Sequence, residues 1–226
     1  MAQLLYTSLF TDPALKAYYR MEVGAITADA RGNNILTNNN GANTTPFGKY
    51  GGGADFGTSN SNKSLALPSS GLGVNLGSNS SIVMEVRVQT EPGTNSTYRL
   101  VDWRSTTGSA RSENIQYKDV GGTKQLASGF GGAEGTFATT LGTLRYHHLA
   151  LTCDGTTGLV YLDGVQVISA SSVANPDTDY IYIGSANNGS QASSVFIDEV
   201  AFFSKVLTLT EIQTLAADTG SGYLFG

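Results

Sequence analysis

Few side chains in this 226-residue chain are spaced to do chemistry together. Glycoside hydrolysis needs two carboxyl groups flanking one bond, about 5 Å apart for retention and somewhat more for inversion. The nearest acidic pair is Asp198-Glu199 in FIDEVAFF. Successive strand side chains point to opposite faces, so the pair is expected to be split. One acid would bond loop backbone at the sheet edge, and the other would face solvent or a buried polar partner. His147 and His148 are adjacent in the same way, which removes them as a joint metal pair, and no Ser or Cys nucleophile motif accompanies them. One is expected to be partly buried and hydrogen-bonded, the other to face the second surface of its sheet.

Binding chemistry is better represented. A hard cation takes several oxygen ligands from carboxylates, amides and backbone carbonyls, and the loop Asp29-Ala-Arg-Gly-Asn33-Asn34 gathers that chemistry tightly. Calcium is the cofactor it favours; the alternative is that Asp29 only stabilises a turn through its own backbone. Sugars present apolar CH patches as well as hydroxyls, so a site for them needs an exposed aromatic face beside amides or carboxylates. Trp103, the single tryptophan, ends TYRLVDW and is the candidate platform, with Asp102, Arg104, Asn114 and Tyr117 as neighbours. Against this, most aromatics of a sandwich belong to its core. The Asn-x-Ser/Thr triplets at Asn43, Asn79 and Asn95 are expected by chance in so Asn-, Ser- and Thr-rich a chain. Cys153 has no partner for an internal disulfide; it shares a strand face with Leu149 and Leu151 and reads as a small buried hydrophobe.

The elements that must position these residues are strands. Hydrophobic residues make up 40%, charged residues 14%, and 28 Gly stand against 5 Pro, a composition suited to strands joined by tight turns. Period-two alternation is clearest in SIVMEVRVQ, where Ile82, Met84, Val86 and Val88 oppose Glu85, Arg87 and Gln89, which predicts one wet face. Similar runs are AYYRMEV, TYRLVDW, KQLASGF, HHLALTC, GLVYLDG, VQVISA, YIYIG and SVFIDEVAFF. Asp163-Gly164 between two alternating segments predicts a type I′ hairpin, and residues 154–158 a second turn before it. In LTLTEIQTLAAD, Thr208 and Glu211 have capping-box spacing, Leu209, Ile212 and Leu215 form an apolar stripe, and Leu207 can act as a staple. Residues 33–45 and 51–63 read as polar loops.

Together these predict an all-β chain: a two-sheet antiparallel β-sandwich with one short C-terminal helix, one domain over residues 14–217, flanked by an apolar segment (1–13) and a tail (218–226). A net charge of −5 without basic clusters argues against nucleic acid, and no apolar run approaches the roughly 20 residues that span a bilayer. MAQLLYTSLFTD lacks a basic n-region, so the expectation is either a signal already removed or release by a non-secretory route such as lysis. Leu4, Leu5, Tyr6, Leu9 and Phe10 at one end and Tyr223, Leu224 and Phe225 at the other are unusual for free termini. They are expected to pack on the chain's own sandwich or to dock into a neighbouring subunit.

The order of these pieces resembles the laminin-G-like branch of the concanavalin-like lectin/glucanase superfamily. The resemblance is carried by AYYRMEVGAITADARGNN, FGKYGGGADF, YHHLALTCDGTTGLVYLDGVQV and FIDEVAFFSKVLTLTEIQTL. It implies a jelly roll, and a calcium near an early-loop aspartate and the aspartate of the terminal Ile-Asp-Glu-Val strand, here Asp29 and Asp198. The glucanase branch carries its acids as Glu-x-Asp-x-x-Glu on one strand, a run absent here. The fold hosts binding, hydrolysis and architecture alike. The expectation is therefore a non-enzymatic surface module, a phage virion decoration or tail-associated protein, partnered by other structural subunits or by copies of itself. Its alternative is a calcium-dependent carbohydrate-binding lectin-like domain of a secreted or cell-surface protein, with polysaccharide as partner.

Overall fold

Alternating side chains give each strand an inner and an outer face, and two sheets meet on the inner ones. The computed structural model describes residues 9–57, 62–68, 72, 79–104, 112–130, 134–171, 180–186 and 191–217. In chain order the strands are β1 (Leu15–Tyr19), β2 (Thr37–Asn39), β3 (Asn43–Gly48), β4 (Gly51–Asp55), β5 (Ser64–Pro68), β6 (Ser80–Val88), β7 (Thr97–Arg104), β8 (Ser112–Val120), β9 (Thr123–Phe130), β10 (Glu134–Ala138), β11 (His147–Cys153), β12 (Thr157–Leu162), β13 (Val165–Ser171), β14 (Tyr180–Ile183) and β15 (Val195–Phe203), followed by helix α1 (Leu209–Ala216). The first sheet runs β13-β12-β11-β6-β15-β4-β3, with β1 also paired to β15; the second runs β10-β9-β8-β7-β14-β5-β2. The strand pairs are antiparallel. The chain is thus the two-sheet antiparallel jelly roll with one C-terminal helix that the alternation predicts.

The main core lies between the sheets. Ile82, Met84, Val86 and Val88 of β6 and Leu149 and Leu151 of β11 meet Ile115 and Tyr117 of β8, Leu126 and Phe130 of β9, and Ile181 and Ile183 of β14. A second apolar cluster covers the outer face of the first sheet. Tyr18, Val83, Ala150, Tyr161, Ala201 and Phe203 lie there under Leu9, Leu207, Ile212 and Leu215. Helix α1 is started as its sequence predicts: Thr208 caps it, and the reciprocal Thr208–Glu211 capping box forms. Leu207 and Ile212 join the same cluster, and the Leu207 N–H donates to Ser81 Oγ at 2.9 Å.

Two expectations are corrected here. β6 has no wet face, because this second cluster and the turn between β3 and β4 cover the side opposite its apolar residues; even Glu85 is fully buried. The stretches 33–45 and 51–63 hold β2, β3 and β4, and the start of β5 follows at Ser64; their Asn, Thr and Gly residues pair through backbone without an apolar alternation. Leu9 and Phe10 pack on the chain's own sandwich, one of the two expectations for the apolar ends, Leu9 in the second cluster and Phe10 edge-on to Tyr18 at 6.0 Å. Leu4, Leu5, Tyr6, Tyr223, Leu224 and Phe225 lie outside the described residues.

The hairpin at Asp163-Gly164 has both residues at positive φ (50° and 79°), as a type I′ turn requires. Close inter-sheet contact needs a glycine at one inner position: a Cβ on Gly158 would stand 1.9 Å from the Phe130 ring. Gly158→Ala is expected to destabilise the protein by roughly 1–3 kcal/mol through this overpacking, read as a lowered urea midpoint, whereas Gly142→Ala, with open space around it, carries only its backbone strain.

Candidate functional site

The outer face of the second sheet is polar because alternation places its apolar residues inward. β14 shows this most simply: Ile181 and Ile183 enter the core, and Tyr180 and Tyr182 face out with rings 6.1 Å apart at 24°. In β7 a bulge between Arg99 and Val101 turns both Leu100 and Val101 inward, so that Arg99 and Asp102 share the outer face. There Arg99 Nη1 donates to Asp102 Oδ1 at 3.3 Å, and Nε and Nη2 donate to Gln191 Oε1 at 3.1 and 2.7 Å. Gln116 Nε2 donates to Asn114 Oδ1 at 2.7 Å and to Glu134 Oε2 at 3.3 Å, while Lys118 Nζ pairs with Glu134 Oε1.

Register lines these groups up. Glu134 pairs with Gly129, Gly129 with Asn114, Asn114 with Asp102, Asp102 with Tyr182, Tyr182 with Ala66, and Ala66 with Thr37. One row therefore crosses all seven strands, about 29 Å at the usual interstrand spacing. Its ends, Glu134 and Thr37, are exposed, and its middle is buried within the surrounding amides and tyrosines.

The structure brings Asp102 and Asn114 together on this face and gives Arg104 the register position opposite Tyr180 and Ser112. Trp103 and Tyr117 go the other way. Trp103 is fully buried, edge-on to Phe202 at 6.1 Å, so it is no exposed platform: it follows Asp102 in an alternating strand and must point inward. Tyr117 is also in the core; its hydroxyl donates to Glu91 Oε2 and accepts from the Leu141 N–H at 3.2 Å. The aromatic pair that does face outward, Tyr180 and Tyr182, has a sequence signal in the alternation of YIYI.

The proposed calcium residues are engaged by backbone. Asp29 Oδ1 accepts from Tyr18 N and Arg31 N, both at 2.9 Å, and Oδ2 accepts from Asn33 N and Asn34 N at 3.2 and 3.0 Å. Asp198 accepts from Glu199 N at 2.9 Å and Tyr50 N at 3.1 Å. Backbone N–H donors thus engage both oxygens of each carboxylate, and among the described residues no three His, Cys, Asp or Glu side chains are grouped to hold a metal.

Asp198 and Glu199 overturn the expectation of opposite faces. A bulge between Asp198 and Ala201, with Glu199 at φ 53°, leaves both carboxylates on the outer face of the first sheet. Glu199 accepts from the Tyr18 hydroxyl, and Asp198 stands opposite Glu85, which in turn stands opposite His148. Burial pushes Glu85 up to about 8 even though Lys49 Nζ donates to it at 2.7 Å. Burial likewise lifts Asp198 to about 7 against its backbone donors, and it pushes the fully enclosed His148 down to about 3, helped by the Lys49 charge. His147, on the other face, bonds Asp163 Oδ2 at 2.9 Å and Leu141 O at 2.7 Å.

This architecture and the sequence agree with known proteins at the level of family. The chain belongs to the concanavalin A-like lectin/glucanases superfamily, whose laminin-G profile matches residues 57–213. Among solved structures it is similar to a sialidase of Trypanosoma rangeli (18% identity over 93% of this chain and 34% of that one, TM-score 0.69). It is also similar to the binding domain of Paraclostridial Mosquitocidal Protein 1 (17%, 90% and 52%, 0.70) and to the binding domain of botulinum neurotoxin serotype G (14%, 89% and 50%, 0.68). The chain therefore spans about a third to a half of these structures, and identities this low show a shared fold. No curated protein matches the sequence significantly.

Two predictions follow from the buried acids. Glu85 and Asp198 bind protons more tightly folded than unfolded, so their contribution is present at low pH and is lost as pH rises from about 4 through 8. His148 acts oppositely, its contribution being lost as pH falls from about 6.5 through 3. Urea midpoints are expected to fall between about pH 6 and about pH 8.5, and Glu85→Gln is expected to flatten that fall while leaving the acid-side loss. Asp29→Ala removes the acceptor of four backbone N–H groups and is expected to cost roughly 2–4 kcal/mol, equally with calcium or with a chelator; a calcium-dependent loss would assign Asp29 to a metal instead.

Proposed function

We propose that this chain is a glycan-binding, lectin-like module that holds a linear, neutral polysaccharide across the outer face of its seven-stranded sheet without cleaving it. The observation that carries this reading is the register row that crosses all seven strands, in which Asn114, Asp102 and Tyr182 on three neighbouring strands set amide, carboxylate and aromatic groups side by side over about 10 Å. A sugar chain presents alternating hydroxyls and CH faces, and the exposed parts of this face offer Glu134 and Thr37 for the first and the partly exposed ring of Tyr180 for the second. The charges on the face are paired internally, Arg99 with Asp102 and Lys118 with Glu134, which favours an uncharged chain over an acidic one.

The buried acids of the first sheet support binding without hydrolysis. Glu85, Asp198 and Glu199 are fully enclosed and held by Lys49, by backbone N–H groups and by Tyr18, on the sheet away from the proposed groove. An attachment role in a virus particle rests on the apolar ends, and of these Leu9 and Phe10 are already engaged within the subunit. Among the described residues no helix is long and apolar enough to cross a membrane, and a secreted or surface-mounted location fits a module that meets polysaccharide.

The test is affinity electrophoresis in gels cast with single linear polysaccharides, glucans, mannans and xylans in turn. The protein is expected to be retarded by at least one without releasing reducing ends. Tyr180→Ala, at a ring 36% exposed, is expected to weaken that retardation about tenfold with an unchanged melting temperature. Retardation by none of them, or an unaltered Tyr180→Ala variant, overturns the reading.

A further inference from the structure

Where the cover over the first sheet ends, one arginine is left without an acceptor. Arg87 is the half-buried residue of β6, two places beyond Glu85 and so on the same outward side. Its guanidinium carbon lies 4.5 Å from the centre of the ring of Phe196, its register partner on β15, and 5.4 Å from that of Tyr146. Both rings are held in turn. Phe196 stands in β15 between Arg87 and Asp55 of β4, and the Tyr146 hydroxyl donates to Phe47 O of β3 at 2.8 Å.

The two rings fix the guanidinium without using its donors. Among the described residues Arg87 makes no hydrogen bond and no ion pair, whereas Arg31, Arg99 and Arg145 each donate to an oxygen. Of its nitrogens only Nε is shielded from solvent, so the open edge is the Nη1–Nη2 fork. An arginine free on a surface must be immobilised by whatever it binds; this one is immobilised already. Asp55, one strand beyond Phe196, leaves a second open group. Its Oδ1 accepts from Gly57 N at 2.7 Å and from Gln89 Nε2 at 2.6 Å, while Oδ2 is neither shielded nor bonded among the described residues. Phe47, which anchors Tyr146, adds an apolar ring 65% exposed.

A guanidinium fork matches the two oxygens of a planar carboxylate through parallel N–H bonds. The surroundings suit one negative charge rather than two. Burial pushes the Tyr146 hydroxyl up; Asp198, Glu85 and Asp55 push the same way and Arg87 opposes them, so a single cation stands here among several acids. A phosphate dianion would meet their repulsion twice over. Beside its carboxylate the ligand needs a hydroxyl for Asp55 Oδ2 and a C–H face for Phe47, and a uronic acid carries all three on one rigid ring.

The geometry points to a uronate-binding site at this rim, where the Nη1–Nη2 fork of Arg87 holds the sugar carboxylate and Asp55 Oδ2 accepts a ring hydroxyl. It stands independently of the polysaccharide reading, because it lies on the outer face of the other sheet.

The test uses the full chain and the methyl glycosides of glucuronate and galacturonate, each titrated separately while the ring-proton resonances of Tyr146 and Phe196 are followed by NMR. At least one uronide is expected to shift them saturably, with a Kd on the order of 1 mM. Methyl glucoside, which lacks the carboxylate, is expected to leave them in place, and sodium acetate, which lacks the ring, to bind at least tenfold more weakly. Arg87→Lys keeps the charge but not the fork and is expected to weaken uronide binding at least tenfold at an unchanged melting temperature. Phe47→Ala, at an exposed position, is expected to weaken it about threefold, and Tyr180→Ala to leave it unchanged, so that this site and the groove fail separately. No shift with either uronide up to about 50 mM, shifts of equal size with methyl glucoside, acetate bound as tightly as the uronides, or wild-type binding by either Arg87→Lys or Phe47→Ala overturns the proposal.

Discussion

The structure depends on burying one sheet from both sides. Once the second apolar cluster closes over β6, β11 and β15, the polar side chains of those strands lose water; the carboxylates take partners inside the protein, while His148, whose two ring nitrogens take none, is kept uncharged by its burial. Lys49 is drawn over Glu85, the backbone of the turn between β3 and β4 donates to Asp198, and Tyr18 donates to Glu199. The turn can approach that closely because a Cβ on Gly48 would meet Gly52 O at 1.7 Å and Asp198 Oδ2 at 2.9 Å. The bulge in β15 serves the same requirement, since without it one of the two adjacent acids would enter the main core, where Ile197, Val200 and Phe202 leave no polar partner.

That division of labour decides which outer face stays polar. In the first sheet most of the outer face is committed to helix α1, to Leu9 and to the β3–β4 turn, and its enclosed ionisable groups are spent on holding these in place. Among the described residues no helix lies over the second sheet, and its outward alternation is polar. The bulge in β7 then adds Arg99 to the side already carrying Asp102. The two bulges thus have opposite consequences: one satisfies buried charge, the other assembles a polar surface.

The sequence was legible where side chains alternate and opaque where backbone decides. SIVMEVRVQ, HHLALTC and the Asp163-Gly164 turn yield strands and hairpin directly, as Thr208 and Glu211 yield the helix start. The strands β2 to β4 are invisible to alternation, because Asn, Thr and Gly residues are paired there through main chain. Asp102 and Asn114 are named by the sequence because amides and acids are a chemical signal, and the register sets them side by side on one face. Trp103 misled because a bulge breaks parity: in TYRLVDW simple alternation from the outward Arg99 puts the tryptophan outward, whereas the irregularity between Arg99 and Val101 makes Asp102 the outward residue and turns Trp103 in. In YIYI the alternation is unbroken and picks out Tyr180 and Tyr182.

The burial of the row's middle bears on how it would work as a binding surface. Arg99 is held by three hydrogen bonds from its guanidinium, two to Gln191 and one to Asp102, and Gln116 bridges Asn114 and Glu134. Long side chains left free lose about 0.5–1.5 kcal/mol each when a ligand immobilises them, whereas these are immobilised already. Tyr180 lies against Tyr182 in the same prearranged way, presenting its partly exposed ring with only its own two torsions to restrain. The network therefore sets the donors, acceptors and rings of this face in advance, which is the condition the proposed polysaccharide reading requires if many weak contacts along a chain are to add up to useful affinity.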